Sequence, residues 1–179
     1  MLAKIKLYLT RHRWLNLLLQ LFLFAVIFFA ITIWQTRNAT RGEAPAFSGS
    51  LLFDERPVAL QNYRGKPLLL HFWASWCPVC KLEQDSISAI AEPGVNKDFQ
   101  VLTIASWSGS EAEVMQYMQQ ENLHFPVLVD QDGSIAKLYG VQGVPSSFVL
   151  DARGVIQFVE QGYTTQTGLW LRLWWLKNN

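Results

Sequence analysis

The fold of this chain is decided by residues 68–83, LLLHFWASWCPVCKLE. The first six residues form a short apolar run after Pro67, which is typical of a fully buried strand over 68–73. Two cysteines follow, Cys77 and Cys80, and apolar residues then recur at helical spacing until Pro93-Gly94. The stretch therefore predicts a buried strand that leads through a cysteine pair into a helix.

The residues after this unit predict alternating strands and helices. Strand-like patterns lie at 100–106, 125–129, 147–150 and 155–160, and helical patterns lie at 111–122, 134–139 and 165–177. Ser110 is a typical N-cap, and Gly154 occupies the hairpin position that requires a positive φ. This order predicts an α/β fold with a mixed central sheet and helices on both faces.

An uncharged apolar segment, Trp14 to Trp34, precedes the domain. As a helix, its 21 residues would span about 31 Å, which matches a bilayer core. A cleaved signal peptide is the rival interpretation, but its apolar region is normally shorter and a small-x-small site follows it closely. A buried helix of a soluble protein fits poorly, because the segment is apolar on every face.

The charges around the apolar segment predict its orientation. Four Lys/Arg precede it and two follow it, so the amino terminus is expected in the cytoplasm. We therefore expect a cytoplasmic basic tail at 1–13, a transmembrane helix at 14–34, a tether at 35–43 and the folded domain at 44–179. The expected location is a bacterial inner membrane, crossed once, with the domain in the periplasm, where disulfide chemistry is available.

Charge and cysteine content exclude several classes of protein. Residues 1–41 hold six Lys/Arg and no acids, whereas the remainder holds nine Lys/Arg and fourteen Asp/Glu. The presumed folded part is thus acidic, which argues against nucleic acid as a partner. The chain has two cysteines, which can form one bridge but not a disulfide-rich scaffold.

The cysteine pair carries the chemistry. Cys77 is expected at the helix N-terminus, with Pro78 at the first helical position, where unpaired amides and the helix dipole stabilise a thiolate. Cys77 is then the nucleophile, and Cys80, one turn further on, resolves the mixed disulfide. A static bridge or a metal site are the alternatives. A closed zinc site lacks further cysteines and suitably spaced histidines, while a two-thiolate copper(I) site stays open.

Two motifs of the chain resemble those of the thioredoxin superfamily. Residues 72–81, FWASWCPVCK, resemble its active-site signature, and residues 143–148, GVPSSF, resemble its cis-proline loop. The chain is similar, more narrowly, to the TlpA-like, membrane-anchored branch. This similarity lies in residues 44–47 and 63–67, in Glu83 and in the amino-terminal anchor. The Cys-Pro-Val-Cys centre on a short chain is most similar to the suppressor-of-copper-sensitivity group, which implies a link to copper stress.

The resemblance implies roles for single residues. The bond before Pro145 is expected to be cis and to lie against the cysteine pair, with the Val144 backbone free to pair with an extended substrate. Trp76, with Pro78 and Val79, would form the apolar surface around Cys77.

Two further residues are implied to handle protons. Thioredoxin has a buried aspartate six residues before its first cysteine, and His71 stands there in this chain. Glu83 matches the residue that, in the TlpA-like branch, is proposed to move the proton of the buried cysteine. The alternatives are a solvated first-turn carboxylate for Glu83 and a hydrogen-bonded core residue for His71.

The expected function is disulfide reduction without a cofactor. The substrates would be proteins with disulfides or oxidised cysteines, and a membrane-embedded electron donor protein would recharge the pair beside the inner membrane lipid. A thiol oxidase of the same fold and a copper(I) carrier that uses the same two thiolates are the alternatives.

Overall fold

The computed structural model describes residues 13–37, 39–53, 56–92 and 97–178. The chain divides into two compact units, which separate after Arg37. The first contains helix α1, Arg13–Thr36, and its stretch Trp14–Ile31 is long and apolar enough to cross a membrane. This helix fits a single-pass membrane anchor. Residues 1–12 of the predicted basic tail lie outside the described residues.

The second unit alternates strands and helices in nearly the predicted order. Its strands are β1 Gly42–Glu43, β2 Ser48–Ser50, β3 Pro57–Ala59, β4 Leu68–Trp73, β5 Gln100–Ser106, β6 Val127–Asp130, β7 Ser146–Leu150 and β8 Val155–Gln161. Its helices are α2 Pro78–Ala91, α3 Glu111–Gln120, α4 Ser134–Leu138 and α5 Gln166–Lys177, with a short 3-10 turn at Leu60–Tyr63.

The central sheet is mixed, as predicted. Its strand order is β1-β8-β7-β4-β5-β6, with β4, β5 and β6 parallel to one another and β7 antiparallel to both β4 and β8. β4 lies inside the sheet and all six of its residues are buried, which explains why five of the six are apolar. β2 and β3 form a separate antiparallel pair.

Side chains alternate along β4 and divide the core in two. Leu69 and Trp73 face a cluster that includes residues of α2, α3 and α5, whereas Leu70 and Phe72 face a second cluster with α4 and the segments before β4. Helices thus cover both faces of the sheet, as predicted. His71 alternates with Leu70 and Phe72, so it shares the face of α2, the helix that begins after Cys77.

The structure differs from the sequence-based boundaries at several points. β1 pairs with β8 through Gly42 and Glu43, which fall within the segment expected to be a tether. β1, β2 and β3 were not predicted, because strands of two or three residues are too short to show a periodicity. The strand predicted from Phe125 begins only at Val127. α3 ends at Gln120, before Asn122 at φ 53, rather than near 122.

Candidate active site

Cys77 caps the amino terminus of α2, as predicted. Its backbone is extended, Pro78 occupies the first turn, and its Sγ accepts a hydrogen bond from the Cys80 amide at 3.1 Å. Cys77 and Cys80 form a disulfide. The free amide end of the helix therefore faces Cys77 Sγ.

The disulfide lies beneath an apolar rim. Cys80 is 1% exposed and Cys77 is 3% exposed, so both cysteines are buried. In the oxidised pair the Cys77 sulfur is turned toward Cys80 and covered by the loop before β7. Trp76, by contrast, is 63% exposed, and Pro78 and Val79 are exposed beside it.

The loop that covers Cys77 contains the predicted cis-proline. The Val144-Pro145 bond is cis, and the Val144 carbonyl oxygen lies 3.5 Å from Cys77 Sγ. The loop is tied to the sheet, because the Gly162 amide donates to the Pro145 carbonyl at 2.9 Å. A hydroxyl of Ser146 closes the turn by donating to the Gly143 carbonyl at 2.7 Å. Two motifs far apart in sequence thus meet at the disulfide.

The loop before Cys77 is held by residues that the sequence analysis missed. The Trp76 indole donates to the Trp107 carbonyl at 2.8 Å, and the Ser75 amide donates to Ser108 Oγ at 3.0 Å. Trp107 has a positive φ of 54°, an unusual conformation for a bulky residue. These contacts orient Trp76 along the rim. β5 ends at Ser106 beside the end of β4, since parallel strands end at the same edge of a sheet. The strand end predicted at 106 was therefore the signal in the sequence that could have located Trp107 and Ser108 next to this loop.

Glu83 is buried, which makes the interpretation of a solvated first-turn carboxylate wrong. Glu83 is 1% exposed and lies three positions after Cys80, so Glu83 and Cys80 share one side of α2. One carboxylate oxygen accepts a hydrogen bond from the Thr164 amide, and the other, Oε2, has no hydrogen-bond partner among the residues that the structure describes. Burial raises the pKa of Glu83 to about 7, although the Thr164 hydrogen bond opposes this shift.

His71 reaches the same buried site from the sheet. Its Nδ1 lies 2.9 Å from the Ser147 hydroxyl, which is its partner residue on β7, and its Nε2 lies 4.0 Å from Glu83 Oε2. Burial lowers the pKa of His71 to about 4, so the ring is neutral at neutral pH. The histidine is thus hydrogen-bonded in the core and also faces the carboxyl group.

Within the part of the chain that the structure describes, no three His, Cys, Asp or Glu side chains cluster as metal ligands. His124 lies 3.2 Å from the Asn122 side chain, on the surface. The cap position of Cys77 and the two buried titratable side chains beside the pair suit it to exchange chemistry.

Disulfide exchange is the reaction that fold and site together define, so the chain is an oxidoreductase of the thioredoxin-like class. It belongs to the AhpC/TSA family, whose model matches residues 40–159.

Individual relatives agree with this assignment. The thiol:disulfide interchange protein DsbE of Yersinia pestis is 31% identical over 160 residues, covering 80% of this chain and 81% of its own. The thiol-disulfide oxidoreductase ResA of Bacillus thuringiensis is 30% identical over 125 residues, covering 69% and 71%. A solved thioredoxin-family thiol:disulfide interchange protein from Chlorobium tepidum superposes with a TM-score of 0.66 at 25% identity, over 78% of this chain and 98% of that one.

Proposed function

We propose that this chain is a membrane-anchored disulfide reductase of the bacterial periplasm, which acts on disulfides and oxidised cysteines of substrate proteins through Cys77 and Cys80. The observation that carries the proposal is the position of Cys77 Sγ, which lies at the amide end of α2 and 3.5 Å from the Val144 carbonyl. An extended substrate that pairs with the Val144 backbone would bring its own sulfur to the same atom.

The first step is attack by the reduced enzyme. The Cys77 thiolate attacks one sulfur of the substrate disulfide, forms a mixed disulfide and releases the other substrate sulfur as a thiolate, which takes up a proton. The exposed rim of Trp76, Pro78 and Val79 gives the apolar surface on which the substrate strand rests. Cys80 is buried and takes no part in this first contact.

The second step requires a base. Cys80 loses its proton to the Glu83 carboxylate and attacks Cys77 Sγ, which releases the second substrate thiol and leaves the enzyme disulfide. Two electrons have then moved from the enzyme to the substrate. A carboxyl group with a pKa of about 7 is suited to this exchange at neutral pH, because it can hold or release the proton. His71 lies against Glu83 and is assigned the role of proton carrier for this carboxyl group.

The surroundings of Cys77 favour reduction over oxidation. A strong oxidant of this fold needs an unusually stabilised thiolate. Among the described residues the Cys80 amide is the hydrogen-bond donor to Cys77 Sγ, whereas the neighbouring Val144 oxygen is an acceptor and favours a protonated thiol. The buried Glu83 carboxyl group further opposes negative charge on the sulfurs whenever it is ionised.

The anchor suggests where the electrons come from. A cytoplasmic amino terminus would leave the domain on the periplasmic side, beside the inner membrane lipid. A membrane-embedded donor protein could then reduce the pair after each turnover. The alternative of copper(I) carriage rests on the two thiolates, and the link to copper stress rests on the resemblance of the Cys-Pro-Val-Cys centre. The described residues contain no cluster of three His, Cys, Asp or Glu side chains that would add ligands.

The reduction potential of the Cys77/Cys80 pair tests the direction. The full chain in detergent micelles would be equilibrated with glutathione or a reference dithiol. We expect a value near the roughly −270 mV of thioredoxin or lower. A value near about −120 mV would instead make the protein an oxidant and overturn the proposal.

A further inference from the structure

The outer side of α5 is apolar. Leu169 and Leu173 point into the core and are fully buried, as expected for the inner side of a covering helix. Four large apolar residues lie on the opposite side and are each 42–52% exposed. We refer to them as the tryptophan face: Trp170, Leu171, Trp174 and Trp175. At 3.6 residues per turn they occupy an arc of about 140°.

The rings of the tryptophan face are held in place. Trp170 and Trp174 stack with their centroids 6.4 Å apart and their planes at 17°. Trp175 packs edge-on against Phe158 of β8 at 5.7 Å. The face therefore loses little side-chain entropy when something covers it. A contiguous exposed apolar surface of this kind marks an interaction site rather than an ordinary surface.

The edges of the tryptophan face carry little net charge. Arg172 flanks it on one side and forms an ion pair with Glu160 at 2.5 Å, while Lys177 flanks it on the other and pairs with Asp98 at 2.5 Å. Because both cations are neutralised by carboxylates of this chain, the face offers apolar burial rather than charge to a partner. Contact with it should therefore depend only weakly on salt.

We propose that the tryptophan face rests in the headgroup region of the bilayer that α1 spans. The inference relies on the anchoring part of the proposed function and not on the direction of electron flow. Indole rings favour the interface between hydrocarbon and water, because they join a large apolar surface to one N–H donor. A helix with such a face lies in the plane of the interface, with the face about 5–10 Å deep.

The chain itself makes lipid the favoured occupant. α1 ends at Thr36, and the Thr40 amide already donates to the Tyr139 carbonyl of the domain at 3.0 Å. The connection between the two is thus short, so any membrane that α1 spans is present at high effective concentration. Other partners must instead arrive by diffusion. A single interfacial helix face binds lipid weakly, but in a tethered domain this weak binding is sufficient.

A reporter on α5 tests the inference in the full chain. The chain would carry Cys77→Ser and Cys80→Ser, with one copy per nanodisc of phosphatidylethanolamine and phosphatidylglycerol. A single cysteine at Thr167→Cys, labelled with an environment-sensitive fluorophore, lies within the exposed arc and removes no apolar residue. Gln116→Cys is the matched control, since it is an exposed position on α3, the helix between β5 and β6, and β6 lies at the opposite edge of the sheet from β1 and β8.

The readout is quenching by lipids that carry a spin label near the glycerol end of the acyl chain. We expect at least about twofold quenching at position 167 and none at position 116. Trp170→Gln with Trp174→Gln should lower the quenching at 167 to the level at 116. Equal quenching at the two positions, or no effect of the double substitution, would overturn the inference.

Two further outcomes separate the causes of failure. A blue shift at position 167 that appears only when two chains share a disc would assign the face to a second copy and overturn lipid docking. Co-elution of the chain with the nanodisc reports the anchor independently. If co-elution persists without quenching, docking alone is wrong, and if co-elution is lost, the anchor on which the inference rests is wrong.

Discussion

His71 and Glu83 face each other in the core, with His71 Nε2 4.0 Å from Glu83 Oε2. Burial acts on both groups in the direction that disfavours charge, so it raises the pKa of Glu83 to about 7 and lowers the pKa of His71 to about 4. Between these values both side chains are neutral. The pair can thus gain or lose a proton near neutral pH through Glu83, beside the buried Cys80.

Trapping distinguishes the roles of the two cysteines. Without Cys80 the mixed disulfide on Cys77 cannot be resolved, so Cys80→Ser should accumulate a covalent enzyme–substrate complex. Non-reducing electrophoresis after exposure to oxidised substrate proteins would measure it, with Cys77→Ser as the matched control that traps nothing. Equal trapping by both variants would refute the assignment of Cys77 as nucleophile, and a copper carrier would trap with neither.

Glu83→Gln should slow turnover by about a hundredfold, because the proton of Cys80 loses its acceptor. Glutamine retains an oxygen for the Thr164 amide, so the fold should be preserved. In the parent protein the rate should rise with pH through about 7, as Glu83 becomes the carboxylate, and this rise should be absent in the variant. Asp85→Asn, at an exposed position of the same helix, is the control and should keep the parent profile. An unchanged pH–rate profile in Glu83→Gln would remove the proposed role.

The pH dependence of the unfolding free energy reports the pKa shifts of Glu83 and His71. The pKa of Glu83 is raised from 4.5 to about 7, so its contribution is fully present below 4.5 and is lost as the pH rises to 7. The pKa of His71 is lowered from 6.5 to about 4, so its contribution is present above 6.5 and is lost as the pH falls to 4.

The two slopes oppose each other in the parent protein and separate in the variants. Glu83→Gln keeps the histidine slope and should lose up to about 3 kcal/mol of unfolding free energy on acidification from pH 6.5 to 4. His71→Asn keeps the carboxylate slope and should lose a similar amount between pH 4.5 and 7. Urea unfolding of the oxidised protein across this range would measure both. Parallel curves for the two variants would contradict the predicted pKa directions.

Trp76→Ala should weaken the contact with protein substrates. The ring is 63% exposed at the rim, where its burial by a substrate would contribute about 1–2 kcal/mol, or roughly tenfold in kcat/KM. A small disulfide such as oxidised glutathione covers less of the rim, so its turnover should change little. Leu138→Ala, an exposed apolar residue on the opposite side of the sheet, is the control. Equal losses for both substrates would indicate a structural role for Trp76 instead.

The sequence by itself determined the local units of this protein. The apolar run of β4, the cap position of Cys77 and the helical spacing of α2 are encoded by neighbouring residues, and the structure confirms them. The same holds for the long apolar helix α1. Short-range patterns suffice here because strand and helix formation depends on side-chain periodicity within each segment.

Only the tertiary structure decided how these units meet. Ser147 lies opposite His71 because β7 and β4 pair in one register, and the register depends on the packing of both faces of the sheet. Glu83 is buried because the segment at Thr164 covers it, whereas the sequence equally allowed a solvated carboxylate at the start of α2. Its raised pKa follows from desolvation, which is a property of the assembled core and not of α2 alone.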